Sequence, residues 1–102
     1  MRKVVMKILA LSINSPTATA DQFGPHIRAE ARRAWELHLA GNLREIYYEQ
    51  GGYRAVLLLE CASAAEAKSL LDSLPLVKAG LISFEMIPLV PYTGYAMLFA
   101  DA

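Results

Sequence analysis

The run Ala55-Val56-Leu57-Leu58-Leu59 constrains the fold more than any other part of this 102-residue chain. Successive side chains of a strand point to opposite faces, so a strand with one wet face alternates apolar and polar residues. This run does not alternate. A strand that is apolar on both sides is covered on both faces. Any sheet built around it therefore needs a second layer of cover, wherever the helices lie.

The other elements fall around that strand. Lys3 to Ile13 is β-branched and apolar and stops at Asn14-Ser15-Pro16, which reads as a first strand. Thr17 to Asp21 supplies turn and capping residues, and Pro25 is tolerated only near a helix start. His26 to Ala40 favours helix, with Gly41-Asn42 as the stop. On a wheel at 100° per residue, Phe23, Ile27, Ala31, Ala34 and Leu37 share the arc expected to face the sheet. His26, Arg28, Arg32, Arg33 and Glu36 lie opposite or at the edges.

Strand two runs from Leu43 to Glu49, and Gln50-Gly51-Gly52 forms the hairpin turn into Tyr53–Cys61. Ser63 with Glu66 fits a capping box, and Ala67, Leu70, Leu71 and Leu74 recur at helical spacing until Pro75 closes the element. Gly80 to Leu89 is the last strand, with Ile82, Phe84 and Met86 on one side and Ile87 on the other. The order β-α-β-β-α-β describes an α+β, ferredoxin-like domain spanning residues 1–102. It has a four-stranded antiparallel sheet with two helices on one face.

Composition says what covers the other face. A 55% hydrophobic, 20% charged chain of this length has more apolar surface than its interior can take up. A second copy of the chain is the simplest cover. The segment 91–102, with Tyr92, Tyr95, Met97, Leu98 and Phe99, is too apolar to stand in solvent and is expected to dock on a neighbouring subunit. Ten basic residues balance ten acidic ones without a cationic block, which speaks against nucleic-acid binding. An RNA-recognition domain shares this element order but needs exposed aromatic and basic residues on its third strand. No stretch is long enough to cross a bilayer.

Cys61 is the sole cysteine, so it reads as a small buried residue of a protein in a reducing, cytoplasmic compartment. Met1-Arg2-Lys3, the apolar run to Ile13 and Ala18-Thr19-Ala20 imitate a secretory signal. Lys7 breaks the run, and cleavage would delete the first strand, so the strand reading is preferred.

Few residues have the makings of chemistry. Glu30 lies beside Phe23 and Leu37 on the wheel, and a carboxylate in apolar surroundings has a raised pKa suited to a general base or acid. The alternative is a boundary glutamate paired with Arg33 or Arg44. His38 is either a ligand-binding group or a boundary histidine satisfied near the helix C-terminus. By period two, Arg44, Ile46 and Tyr48 share one strand face, and Leu43, Glu45, Tyr47 and Glu49 the other. Arg44 and Tyr48 could orient an anionic substrate, or they could serve an ion pair and an interface. Trp35 reads as packing. No phosphate-cradling loop, paired metal-spaced histidines or nucleophile elbow is present, so no cofactor or metal is expected.

Glu30, Gly41-Asn42-Leu43-Arg44, Gly51, Tyr53, Leu74-Pro75-Leu76 and Ile87-Pro88-Leu89 together resemble the pattern of muconolactone isomerase and its relatives, within the dimeric α/β-barrel superfamily. The resemblance covers Glu30 through Leu89. It implies dimeric or ring-shaped assemblies with pockets between sheet and helices. It also implies a cofactor-free double-bond shift in an unsaturated lactone bearing a carboxylate. Under it, Glu30 is the proton shuttle and Arg44 the carboxylate anchor. Where the isomerase pattern has Trp, His, Trp and Arg, this chain has Leu43, Glu45, Tyr47 and Tyr48, and Gly52 stands in place of a histidine. The fold transfers better than the reaction. The expected function is a cofactor-free isomerase acting on a small unsaturated lactone or acid. The alternatives are a small-molecule binding or regulatory module of the same fold and a cofactor-free monooxygenase.

Overall fold

The computed structural model describes residues 5–100. The expected first two residues of strand one (3 and 4), the basic start of the signal-like segment and the last two residues of the apolar tail lie outside that range. Strand β1 (Met6–Asn14) leads into a short helix α1 (Ala20–Phe23), a 3-10 turn (Gly24–His26) and helix α2 (Ile27–Leu39). Strands β2 (Leu43–Tyr48) and β3 (Ala55–Cys61) follow, then helices α3 (Ala64–Asp72) and α4 (Pro75–Lys78), strand β4 (Ile82–Leu89) and a 3-10 segment (Gly94–Phe99). The sheet order is β2-β3-β1-β4 with every neighbouring pair antiparallel, which is the ferredoxin-like arrangement.

Alternation along the central strands divides the sheet into two faces. Ile8, Ala10 and Ser12 of β1 and Leu57, Leu59 and Cys61 of β3 are buried under the helices. There they join Leu37, Leu43, Ala67, Leu71 and Leu74 in one core, each large side chain worth about 1.5–3 kcal/mol of burial. Ser12 is the one buried polar side chain among the described residues, and its Oγ accepts the Ala55 N–H at 2.8 Å, just beyond the last β1–β3 pair. The opposite face presents Leu9, Leu11, Val56, Leu58 and Ile87, and this chain lays no helix over it. Strand three is thus apolar on both sides, as the sequence indicates, and one of those sides is open.

Two helices end in the same way. After α2, the Asn42 N–H bonds to the Leu37 carbonyl and the Gly41 N–H to that of His38. After α4, Leu81 bonds to Leu76 and Gly80 to Val77. These paired bonds form a Schellman motif, which puts a residue at positive φ, and Gly41 (φ +88) and Gly80 (φ +75) take that position. At the start of α3, Ser63 Oγ accepts the Glu66 N–H, while the Glu66 carboxylate reaches back to the Ala62 N–H. Pro75 does more than close the preceding helix. It opens α4 from the N1 position, where its missing N–H costs nothing.

Strand three begins at Ala55 rather than Tyr53. Tyr53 holds a φ of +54, a left-handed conformation rare for a side chain with a Cβ, and so belongs to the turn. The wheel for helix one is also rotated from expectation. Ile27 and Ala31 face solvent, while Glu30 and Arg33 lie half-buried on the inner side with Ala34 and Leu37. The inner side of α2 packs on the polar N-terminus of α4 as well as on the sheet, which explains why charged side chains are tolerated there.

Candidate functional site

Glu30 bridges α2 and α4. Its Oε1 accepts the Leu76 N–H at 2.9 Å, satisfying a donor that the apolar N-cap residue Leu74 cannot. No buried side-chain polar atom of the described residues lacks a hydrogen bond. The second carboxylate oxygen, which has no protein partner, is therefore not sequestered. Burial raises the carboxyl above its ordinary value of 4.5, and the Leu76 bond and the charge of His26 oppose that rise. Neither suggested arginine pairs with it: Arg33 binds Ser73 Oγ and Glu36, and Arg44 approaches Glu60.

His38 is eight residues further along α2, about 12 Å along the helix axis from Glu30. Its Nδ1 lies 3.1 Å from the Leu43 carbonyl oxygen. A carbonyl only accepts, so Nδ1 carries the proton and Nε2 is the free acceptor of the neutral ring. Trp35 stands beside it, ring centroids 5.3 Å apart, and is exposed rather than packed in the core.

Strand β2 contains a bulge that the period-two reading does not foresee. Leu43 faces Leu59 and Glu45 faces Leu58, so Arg44 is the extra residue. Leu43 and Ile46 both belong on the helix side, and three residues apart they can share a face only with an insertion between them. Leu43 consequently joins Ile46 and Tyr48 on the helix side, while Glu45 and Tyr47 lie on the open face. Arg44 Nε reaches to 3.9 Å from Glu60 Oε2, and Lys7 Nζ is 3.9 Å from Glu60 Oε1. Both contacts are long and mostly exposed, so they add little to stability. Glu60 was missed by the sequence reading; its signal is a carboxylate in register with Val56 and Leu58 on an otherwise apolar face. Tyr47 donates to Glu45 at 2.6 Å, which raises the phenol pKa through that bond and through the carboxylate's charge.

Tyr48 is exposed at the far end of β2 and meets Tyr53 edge to face, 6.1 Å between centroids. A shallow hollow of about 360 Å³ spans Tyr48 to Tyr53 at the hairpin. A second, of about 290 Å³, lies between α3, α4 and β4 over Leu71, Val77, Phe84 and Met86, with Lys68 and Asp72 on its rim. Within one chain the sequence-derived residues are not assembled. Glu30 faces α4 under the sheet, Arg44 reaches across the open face, and His38 and Tyr48 sit near opposite ends of β2. Among the described residues no group of three or more His, Cys, Asp or Glu comes together as a metal site, and no helix is long and apolar enough to cross a membrane.

A ferredoxin-like α+β chain with a half-buried carboxylate on its first long helix and a bare apolar sheet face defines a class of small domains. The family model for muconolactone delta-isomerase matches residues 9–94, and the chain belongs to that family. No curated protein matches it in sequence. Among solved structures, the 5-chloro-2-hydroxyhydroquinone dehydrochlorinase of Burkholderia phenoliruptrix AC1100, in complex with 2,5-dihydroxybenzoquinone, superposes with a TM-score of 0.67 at 18% identity. The match covers 89% of this chain and 98% of that one, and it shows a shared fold.

Proposed function

We propose that this protein is a cofactor-free isomerase of small unsaturated lactones or carboxylic acids, working as a homo-oligomer whose copies cover one another's sheet faces. The observation that carries the reading is the family match across residues 9–94. A dehydrochlorinase of the same fold bound to 2,5-dihydroxybenzoquinone supports a small, cyclic, oxygen-bearing substrate.

Glu30 is the proposed proton carrier. Its carboxylate takes a proton from one end of a three-carbon allylic unit, the electron pair spreads onto the lactone carbonyl as a dienolate, and the proton returns at the other end. Nothing is oxidised or reduced, and the base is regenerated. A raised pKa brings the group closer to the pH at which it must both accept and donate. Arg44 is the proposed anchor for a substrate carboxylate, with Tyr48 and His38 as further contacts. Arg44 and Glu30 of one chain lie on different sides of the sheet, and pairing two sheet faces leaves them so, which means that a site holding both takes its Arg44 from a copy meeting the helix side.

The test is turnover of a small unsaturated lactone in deuterated water, followed by ultraviolet absorbance and deuterium uptake. Glu30→Gln is expected to abolish exchange and product while leaving the circular dichroism spectrum unchanged; an unaltered rate would overturn the assignment. A second reading, a binding module without chemistry, is favoured by the commitment of Glu30 Oε1 to the Leu76 N–H. It gives thermal stabilisation by the lactone with no product. Oxygen consumption during turnover would instead indicate a monooxygenase.

A further inference from the structure

Helix α2 holds the corner between α3 and α4 at two points, and the two contacts are in register. Glu30 Oε1 accepts the Leu76 N–H at 2.9 Å, and Arg33 Nε donates to Ser73 Oγ at 2.9 Å. Three residues forward on α2 match three residues back on the corner, so the two segments pass each other antiparallel. Residues three apart on a helix share a face, which puts both side chains on the inner side of α2. One contact alone would let the corner pivot about it, whereas two fix its rotation. We infer that Arg33 is a positioning residue for Glu30: through Ser73 it holds the α3–α4 corner so that the Leu76 N–H stays on Oε1, leaving Oε2 as the oxygen that carries the proton. This role rests on the reading of Glu30 as the proton carrier.

The corner is stiff enough to transmit that hold. Besides accepting from Arg33, Ser73 Oγ donates to the Leu70 carbonyl, and the Ser73 N–H reaches the same oxygen at 3.1 Å. A guanidinium cation therefore stands at the C-terminal end of α3, where positive charge is favoured. Only Leu74 and Pro75 separate Ser73 from Leu76. Leu74 is buried in the core, and the ring of Pro75 locks its φ. A displacement at Ser73 is consequently passed on to Leu76 rather than absorbed.

Arg33 suits this role in a way that lysine does not. Its Nε serves Ser73 while Nη1 meets Glu36 Oε1 at 3.1 Å, so two donors of one rigid fork are engaged. Its side chain is 33% exposed, against 54% for Arg44 and 44% for Arg54, and is the most withdrawn of the ion-paired arginines. Arg33 pairs with Glu36, three residues after it, and not with Glu30, three residues before it, so no salt bridge takes up Glu30 Oε2. Other charges near Glu30 are few. His26, in the turn before α2, bears on it; α4 brings the Leu76 N–H, with Lys78 at its far end; Asp72 of α3 is held by Lys68 at 2.8 Å.

NMR of the Glu30 side-chain carboxyl carbon, together with Leu76 amide exchange, tests this in the full-length chain without substrate. Ser73→Ala and Arg33→Lys both leave the net charge unchanged, so their effect reaches Glu30 through geometry. Each is expected to speed Leu76 amide exchange roughly tenfold, the weight of one hydrogen bond. Each is also expected to move the Glu30 titration to higher pH, because the Leu76 bond opposes the rise that burial causes. The acid limb of the rate–pH profile is expected to move the same way. Lower thermal stability with an unmoved Glu30 titration would make Arg33 a purely structural residue and overturn the inference. So would a raised KM with both substrate-free measurements unchanged, which would put Arg33 against the substrate. A chain that converts no lactone yet shows the moved titration and the faster exchange keeps the positioning and loses the isomerase reading.

Discussion

Replacing Glu30 with glutamine keeps an oxygen where Oε1 accepts the Leu76 N–H, but it removes the charge and the capacity to take up and release a proton. Packing and chemistry are thereby separated at one position. Glu30→Ala loses the bond as well, and is expected to cost about 0.5–2 kcal/mol, as loss of a helix cap does. The pH dependence has a definite sign. Burial holds the folded carboxyl above 4.5, so the folded chain binds that proton more tightly than the unfolded one. The contribution of Glu30 to stability then falls as pH rises from 4.5 through the raised value. Urea midpoints measured across that window are expected to fall more steeply in the native chain than in Glu30→Gln. Parallel curves would show that the carboxylate is not destabilised by its surroundings.

Helix ends set how the elements join. The Schellman motifs after α2 and α4 aim the chain into β2 and β4, and each depends on a glycine at positive φ with open space around it. Gly41→Ala and Gly80→Ala therefore meet no clash, only the backbone cost of the left-handed conformation. Each is expected to lower unfolding free energy by about 1–2 kcal/mol in denaturant titrations. A neutral result at Gly41 would mean that the turn relaxes. The bulge at Arg44 is the other decisive local device. It keeps Leu43 and Ile46 on the helix side of the sheet, Leu43 buried and Ile46 half exposed along the edge strand, and frees the Arg44 guanidinium to reach Glu60.

The sheet face opposite the helices governs the whole molecule. Leu9, Leu11, Val56, Leu58 and Ile87 share that face by their pairing register, with Lys7, Glu60, Glu45 and Glu85 among them and at the rim. If a second copy covers it, Leu58→Arg places a charge in the middle of that contact while leaving the helix-side core untouched. Sedimentation is expected to show a smaller species with unchanged secondary structure. An unchanged sedimentation coefficient would mean that the face is not where the copies meet.

The order of the main elements, the hairpin, the Gly41 stop, the α3 cap and the two-sided apolarity of strand three were legible in the sequence; helix α4 and its stop at Gly80, which reads there as the start of the last strand, were not. Each legible feature is set by short-range preferences: side-chain period, positive φ and capping oxygens act over a few residues. The rotation of α2, the bulge at Arg44 and the partner of Glu30 were decided only in three dimensions. A wheel ranks residues by apolarity, yet the inner side of α2 rests on the N-terminus of α4, whose free N–H needs a carboxylate more than it needs a methyl group. Glu30 and Leu76 are 46 residues apart, and only the packed structure brings that donor to that acceptor.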